Sequence, residues 1–190
     1  MSRSSNVETP TYDLIERKNE YEVRRYRKQL WAQTAYEVSL GTDSASGSES
    51  GFFPLFGYIC GNNNAGMKIS MTTPVISQEI TTDRSVQRTM TFIMPPSTFN
   101  SMNQLPMPMD RNVRIMEQSN LPLLACITFN MMPTTDRLIA KEQELRAAVY
   151  RDGILLSSNR SDVMCFRYDP PNTPPQYRRN EICIPIVGHR

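Results

Sequence analysis

Apolar and charged residues alternate along the first forty positions of the chain. "YDLIER" and "YEVRRYR" repeat with period two, the mark of half-buried strands, and Asn19 in the polar stretch between them suits a hairpin turn. "LWAQTAYEV" continues as a third strand, with Leu30, Ala32, Thr34 and Tyr36 on one face. A small-polar run from Gly41 to Gly51 then predicts an exposed, mobile loop. The pattern changes at "GFFPLFGYIC", too apolar for one exposed strand, which predicts a short buried helix with Pro54 in its first turn. Gly61, Gly66 and the three asparagines between them predict a sharp reversal, because these residue types tolerate positive φ and close Asx turns.

"VISQEI" and "RTMTFIMP" form the next strand pair, and "NVRIMEQ" and "LPLLACITFNMM" follow a Met- and Pro-rich loop. The stretch "TTDRLIAKEQELRAAVYRDG" has helical period, with Leu138, Leu145 and Val149 as its apolar stripe. Thr134 or Thr135 would cap it and Gly153 would end it. "VMCFRYDPP" and "RRNEICIPI" are the last strands. The order strand, strand, helix, strand, strand thus occurs twice. It predicts an α+β fold in which two helices pack on a mostly antiparallel sheet or open barrel. Residues 1–10 read as a flexible N-terminal arm and residues 11–187 as a single domain.

Composition changes this picture little. At 190 residues the chain suits one domain with a substantial core. Its 21 basic and 19 acidic residues, a net charge of +2, are spread throughout and give no reason to expect a nucleic-acid partner. The four cysteines sit singly in apolar or mixed runs without metal-ligand spacing, as buried small hydrophobes would. No apolar leader follows Met1 and no run is long enough to cross a bilayer, so the expected location is cytoplasmic.

Common catalytic motifs are missing. The single histidine, His189, stands beside Arg190 in what reads as a frayed tail, which disfavours histidine-based acid–base chemistry. A carboxylate such as Glu181 or Asp169 beside Arg178 and Arg179, or Tyr168 as an acid, remains a catalytic alternative. The aromatic residues around Phe52, with Met67, Met71, Met90 and Met94, instead suit a flat apolar ligand. Lys68, Arg178 and Arg179 would neutralise its carboxylates. The Met71 thioether is a candidate ligand for haem iron. The loop from Met102 to Met109 keeps open a third use, contact with a protein partner.

Three separated segments, "ETPTYDLIERKNEYEVRRY", "LFGYICGNNNAGMKISMTTPV" and "RYDPPNTPPQYRRNEICI", resemble the SOUL/haem-binding protein family, and the likeness runs from about Glu8 to Val187. The resemblance implies a distorted antiparallel β-barrel built from two pseudo-repeated ferredoxin-like halves with two helices. It also implies non-covalent binding of haem or another tetrapyrrole in a shallow apolar cleft, usually without turnover. Transferred to this chain, Phe52, Phe53, Leu55, Phe56 and Ile59 form one wall of that cleft, and the turn from Pro170 to Tyr177 forms the second. Relatives with an axial histidine carry it in the N-terminal half, where this chain has none. The positions that flank the first helix with basic residues in other members read Glu49 and Gly57 here.

Overall fold

A computed structural model describes residues 7–43, 49–81 and 83–190. Ten strands and two helices follow one another as β1 (Tyr12–Arg17), β2 (Glu22–Tyr26), β3 (Gln29–Ser39), α1 (Glu49–Ile59), β4 (Val75–Thr81), β5 (Ser85–Ile93), β6 (Val113–Gln118), β7 (Leu124–Phe129), α2 (Thr135–Arg151), β8 (Ile154–Leu156), β9 (Met164–Arg167) and β10 (Asn180–His189). All the strands belong to one antiparallel sheet of order β1-β2-β7-β10-β9-β4-β5-β3-β6, with β8 added beside β10.

That order is symmetric about the β9–β4 pair, with β10 matching β5, β7 matching β3 and β2 matching β6. The two ββαββ units anticipated from the sequence are therefore present, with one exchange. The first strand of each unit hydrogen-bonds into the other, β2 onto β7 and β6 onto β3.

Alternation of side chains sorts the core into three parts. Leu145, Ala148 and Val149 of α2 pack with Ala125, Ile127, Ile182 and Ile184 on the outer face of the sheet. Leu55, Tyr58 and Ile59 of α1 pack with Ala32, Met90 and Phe92 on the same face in the other half. The inner face has its own cluster of Tyr26, Trp31, Ile76, Ile93, Leu124, Cys126, Met164, Phe166 and Cys183. Tyr26 and Trp31 stand on strands second and second-last in the order, so the sheet must curl until its two ends share one core. The result is a half-barrel of α+β class.

Several expectations need correction. The first helix begins at Glu49, so Pro54 lies inside it rather than in its first turn, and one intrahelical hydrogen bond is lost there. Part of the loop expected over 41–51 is thus helical, and its residues 44–48 lie outside the described residues. Thr134 takes the N-cap position without a side-chain bond. The N–H of Thr135 donates instead to Asp43 Oδ2 at 3.4 Å, which places a carboxylate at the helix N-terminus. His189 is no frayed tail, because it pairs with Ile154 at the end of β10. Strand β8 has only three residues, too few to show a period. Of the arm expected over 1–10, residues 1–6 lie outside the described residues. The next part is tied down: Glu8 O accepts from Thr73 N at 3.0 Å, and its carboxylate accepts from Ser97 N at 2.9 Å.

Candidate functional site

Helix α1 presents two different faces. Gly51, Leu55, Tyr58 and Ile59 turn to the sheet, spaced by the three and four residues that stack side chains on one helix face. Gly51 has to be glycine, since a Cβ there would overlap the edge of the Tyr36 ring. Tyr58 sends its hydroxyl to Pro106 O at 2.8 Å, and burial pushes its pKa up to about 12. The opposite face carries Phe53, 62 % exposed, and Phe56, 43 % exposed. Phe52 lies between the faces. Its ring stacks on Phe56 at 5.4 Å with 18° between the planes, and meets Phe92 of the sheet edge-on at 5.5 Å.

The turn after α1 is built around one side chain. Buried Asn63 donates to Tyr58 O and Met67 O at 3.0 and 2.8 Å, and its Oδ1 accepts from Ala65 N and Met67 N at 3.2 and 2.9 Å. Gly61 and Gly66 supply the positive φ values, 115° and 61°. Neighbouring asparagines fasten a second segment. Asn64 exchanges bonds with Met107 (2.9 and 2.8 Å), and Met109 N donates to Asn62 O at 3.3 Å. Met67, Met107 and Met109, all exposed, thereby stand on segments bonded to the C-terminal end of α1, with exposed Lys68 beside Met67.

The residues singled out by sequence thus fall into separate places. Leu55 and Ile59 are core residues that hold α1 to the sheet, and half-buried Met71 packs against the same cluster. Phe52, Phe53 and Phe56 form the outward aromatic face. Tyr177, 62 % exposed, ends a short 3-10 turn, and Arg178 donates to Thr173 O at 2.9 Å and to Pro171 O, closing its own loop. That loop is bonded to the segment before α2, through Met131 N to Pro175 O and Asn130 Nδ2 to Arg178 O, both 2.9 Å. Met107 and Met109 were assigned by sequence to a partner loop rather than to the surroundings of α1. The signal that could have placed them is the asparagine triplet, whose amides need partners.

The ionisable cluster is a closed network. Glu181 is fully buried on the inner face and accepts from Arg24 Nη1 at 2.7 Å, Arg24 Nη2 at 3.1 Å, Arg179 Nη2 at 2.7 Å and the Tyr168 hydroxyl at 2.8 Å. Burial alone would raise its pKa, but the hydrogen bonds and charge of Arg24 and Arg179 outweigh that and hold the carboxyl below the ordinary range. Burial, reinforced by Glu181, drives the Tyr168 hydroxyl far upward. An ionised carboxylate with its lone pairs occupied and a phenol that keeps its proton make a lock, and neither is poised for proton transfer at neutral pH. Among the described residues no group of three or more His, Cys, Asp or Glu side chains is arranged to hold a metal ion. No described helix is long and apolar enough to cross a membrane.

Comparison with known proteins agrees with this architecture. The family model described as SOUL heme-binding protein matches residues 7–185, nearly the whole chain. The chain belongs to the SOUL heme-binding family. Heme-binding protein 2 of Mus musculus is 39 % identical over 80 residues, which cover 40 % of this chain and 38 % of that protein. Heme-binding protein 2 of Homo sapiens is 41 % identical over 75 residues, 37 % of this chain and 35 % of its own. The matched stretches span well under half the length of either relative. Two solved structures share the fold at low identity: the EcmrR C-terminal domain (TM-score 0.65, 11 % identical, covering 89 % of this chain and 98 % of that one) and a hydrolase from Listeria innocua (TM-score 0.60, 8 % identical, covering 91 % and 94 %). Membership of the SOUL family supports haem binding.

Proposed function

We propose that this SOUL-family protein is a carrier that binds haem or a related tetrapyrrole non-covalently against the outer face of α1, in the cytoplasm. The observation that carries the reading is the pair of exposed rings, Phe53 and Phe56, backed by Phe52 stacked on one of them. Phe56, held by stacking on Phe52, offers an apolar ring face at low cost in side-chain ordering, and Phe53 stands edge-on to Phe52 beside it. Met67, Met107 and Met109 give adaptable polarizable surface beside it, and Lys68 offers a propionate partner. Tyr177 and Arg178 remain candidates for a second wall. His189 is a poor axial ligand for this site, being carried on β10 beside β8 in the half covered by α2. Apolar contact therefore supplies the affinity, and metal-free porphyrin should bind comparably. The saturated environment of Glu181 favours the carrier over the enzymatic alternative.

Titration with haemin and with protoporphyrin IX tests this. Both should give saturable changes, a Soret shift for haemin and fluorescence quenching for the free base. Replacing Phe53 and Phe56 by Ala should weaken both by about tenfold or more, since burying one Phe contributes ~1.5–3 kcal/mol and 1.4 kcal/mol is tenfold. Thermal stability should hardly change, because neither ring is core. Saturation by neither ligand, or equal binding by the double variant, would refute the proposal.

A further inference from the structure

A concavity lined by no residue of α1 lies where the connection between β2 and β3 meets the segment after β5. It is a cavity of about 180 Å³ floored by Leu30, Ile93, Met94 and Phe99, with Thr11 at its margin and Arg27 and Lys28 among its lining residues. The floor is part of the packed core, so its shape is set by the fold. The volume equals about six waters at the ~30 Å³ each occupies in the liquid. That is far too small for a tetrapyrrole.

Charge decides what suits it. Both ionisable lining residues are cations, and among the described residues no acidic one lines the cavity. Among the described residues Arg27 pairs with Asp13 at 3.4 Å and Lys28 with Glu117 at 3.5 Å, both at the surface. Exposed pairs of that length contribute little, so exchanging them for a ligand's carboxylate costs little. An arginine and a lysine on adjacent lining residues beside an apolar floor match a small molecule with one anionic end and one greasy end.

We propose that this cavity binds a small monocarboxylate with an apolar body, of about the size of phenylacetate. Its ring or alkyl chain lies on Met94 and Phe99 and its carboxylate meets Arg27 and Lys28. The site is separate from the tetrapyrrole face and does not depend on it. Calorimetric titration of the full chain with phenylacetate and with neutral phenylacetamide tests it without any mutation. Phenylacetate should saturate and the amide should bind about tenfold more weakly, the margin expected for charge-assisted over neutral hydrogen bonding. Exchanging Arg27 and Lys28 together for Gln should remove that preference. Thr11→Trp, which fills the margin from an exposed position, should abolish binding of both. Haemin titration should stay unchanged in all these variants. Failure of phenylacetate to saturate, equal binding of acid and amide, or full retention of acid binding in the doubly neutralised variant would each overturn the proposal, whatever haemin does.

Discussion

A single buried carboxylate shows what a residue can do when the chain around it folds back from far away. Glu181 and its neighbours Tyr168 and Arg179 were visible in the sequence as an ionisable cluster, but its strongest partner, Arg24, is 157 positions distant and gave no local sign. The pattern left catalysis open as an alternative, and the geometry makes a bolt across the inner face. Removing one member of a buried pair costs about 3–5 kcal/mol. Glu181→Gln should fall at about 3 kcal/mol, the lower end of that range, because Glu22 still holds Arg24 Nε at 2.8 Å. The pH dependence has a definite sign. A carboxyl whose folded pKa lies below its ordinary value of 4.5 contributes fully above that value, and the contribution is lost as pH falls through the folded value. Urea denaturation should therefore show a gap between parent and variant that is wide at pH 7 and narrows below pH 4.5. A gap that persists unchanged to pH 3 would contradict this account.

At the scale of elements, α1 was legible as an apolar segment but not as a two-faced one. Its aromatic residues all look alike in a sequence. Which of them face water depends on the register imposed by Gly51 against Tyr36, a contact between residues on different elements. The sequence also could not set the helix start, because Glu49 and Ser50 continue a small-polar run until the fold recruits them. Gly51→Ala tests the contact directly. Alanine gains up to ~1 kcal/mol of helix propensity, but overlap with a ring in a packed interface costs about 1–3 kcal/mol. The substitution should lower the melting temperature of the parent and raise that of a Tyr36→Ala background. The same sign in both backgrounds would show that Tyr36 is not what the glycine accommodates. The asparagine turn was read correctly as a reversal, while its second use, fastening the methionine segment to the end of α1, depends on hydrogen bonds to residues more than forty positions away.

For the whole molecule, the double ββαββ order was readable because periodicity survives without identical letters. The exchange of first strands was not, since nothing in an alternating strand says which edge it joins. Two halves that each lend a strand to the other cannot complete their sheets alone. Fragments 1–110 and 111–190 should each lack a cooperative unfolding transition. Mixed, they should recover one, together with the near-ultraviolet dichroism of Trp31, which packs with residues from both halves. A fragment that unfolds cooperatively by itself would show that the exchange is dispensable.

The position of β10 carries this further. The last strand in chain order is an interior strand of the sheet, flanked by β7 and β9, and it supplies Ile182 and Ile184 to one core and Cys183 to another. Until β10 has been made, α2 lacks part of its floor and β7 and β9 each have one edge open. Through that interval the nascent chain exposes the kind of apolar strand edge that holding chaperones bind.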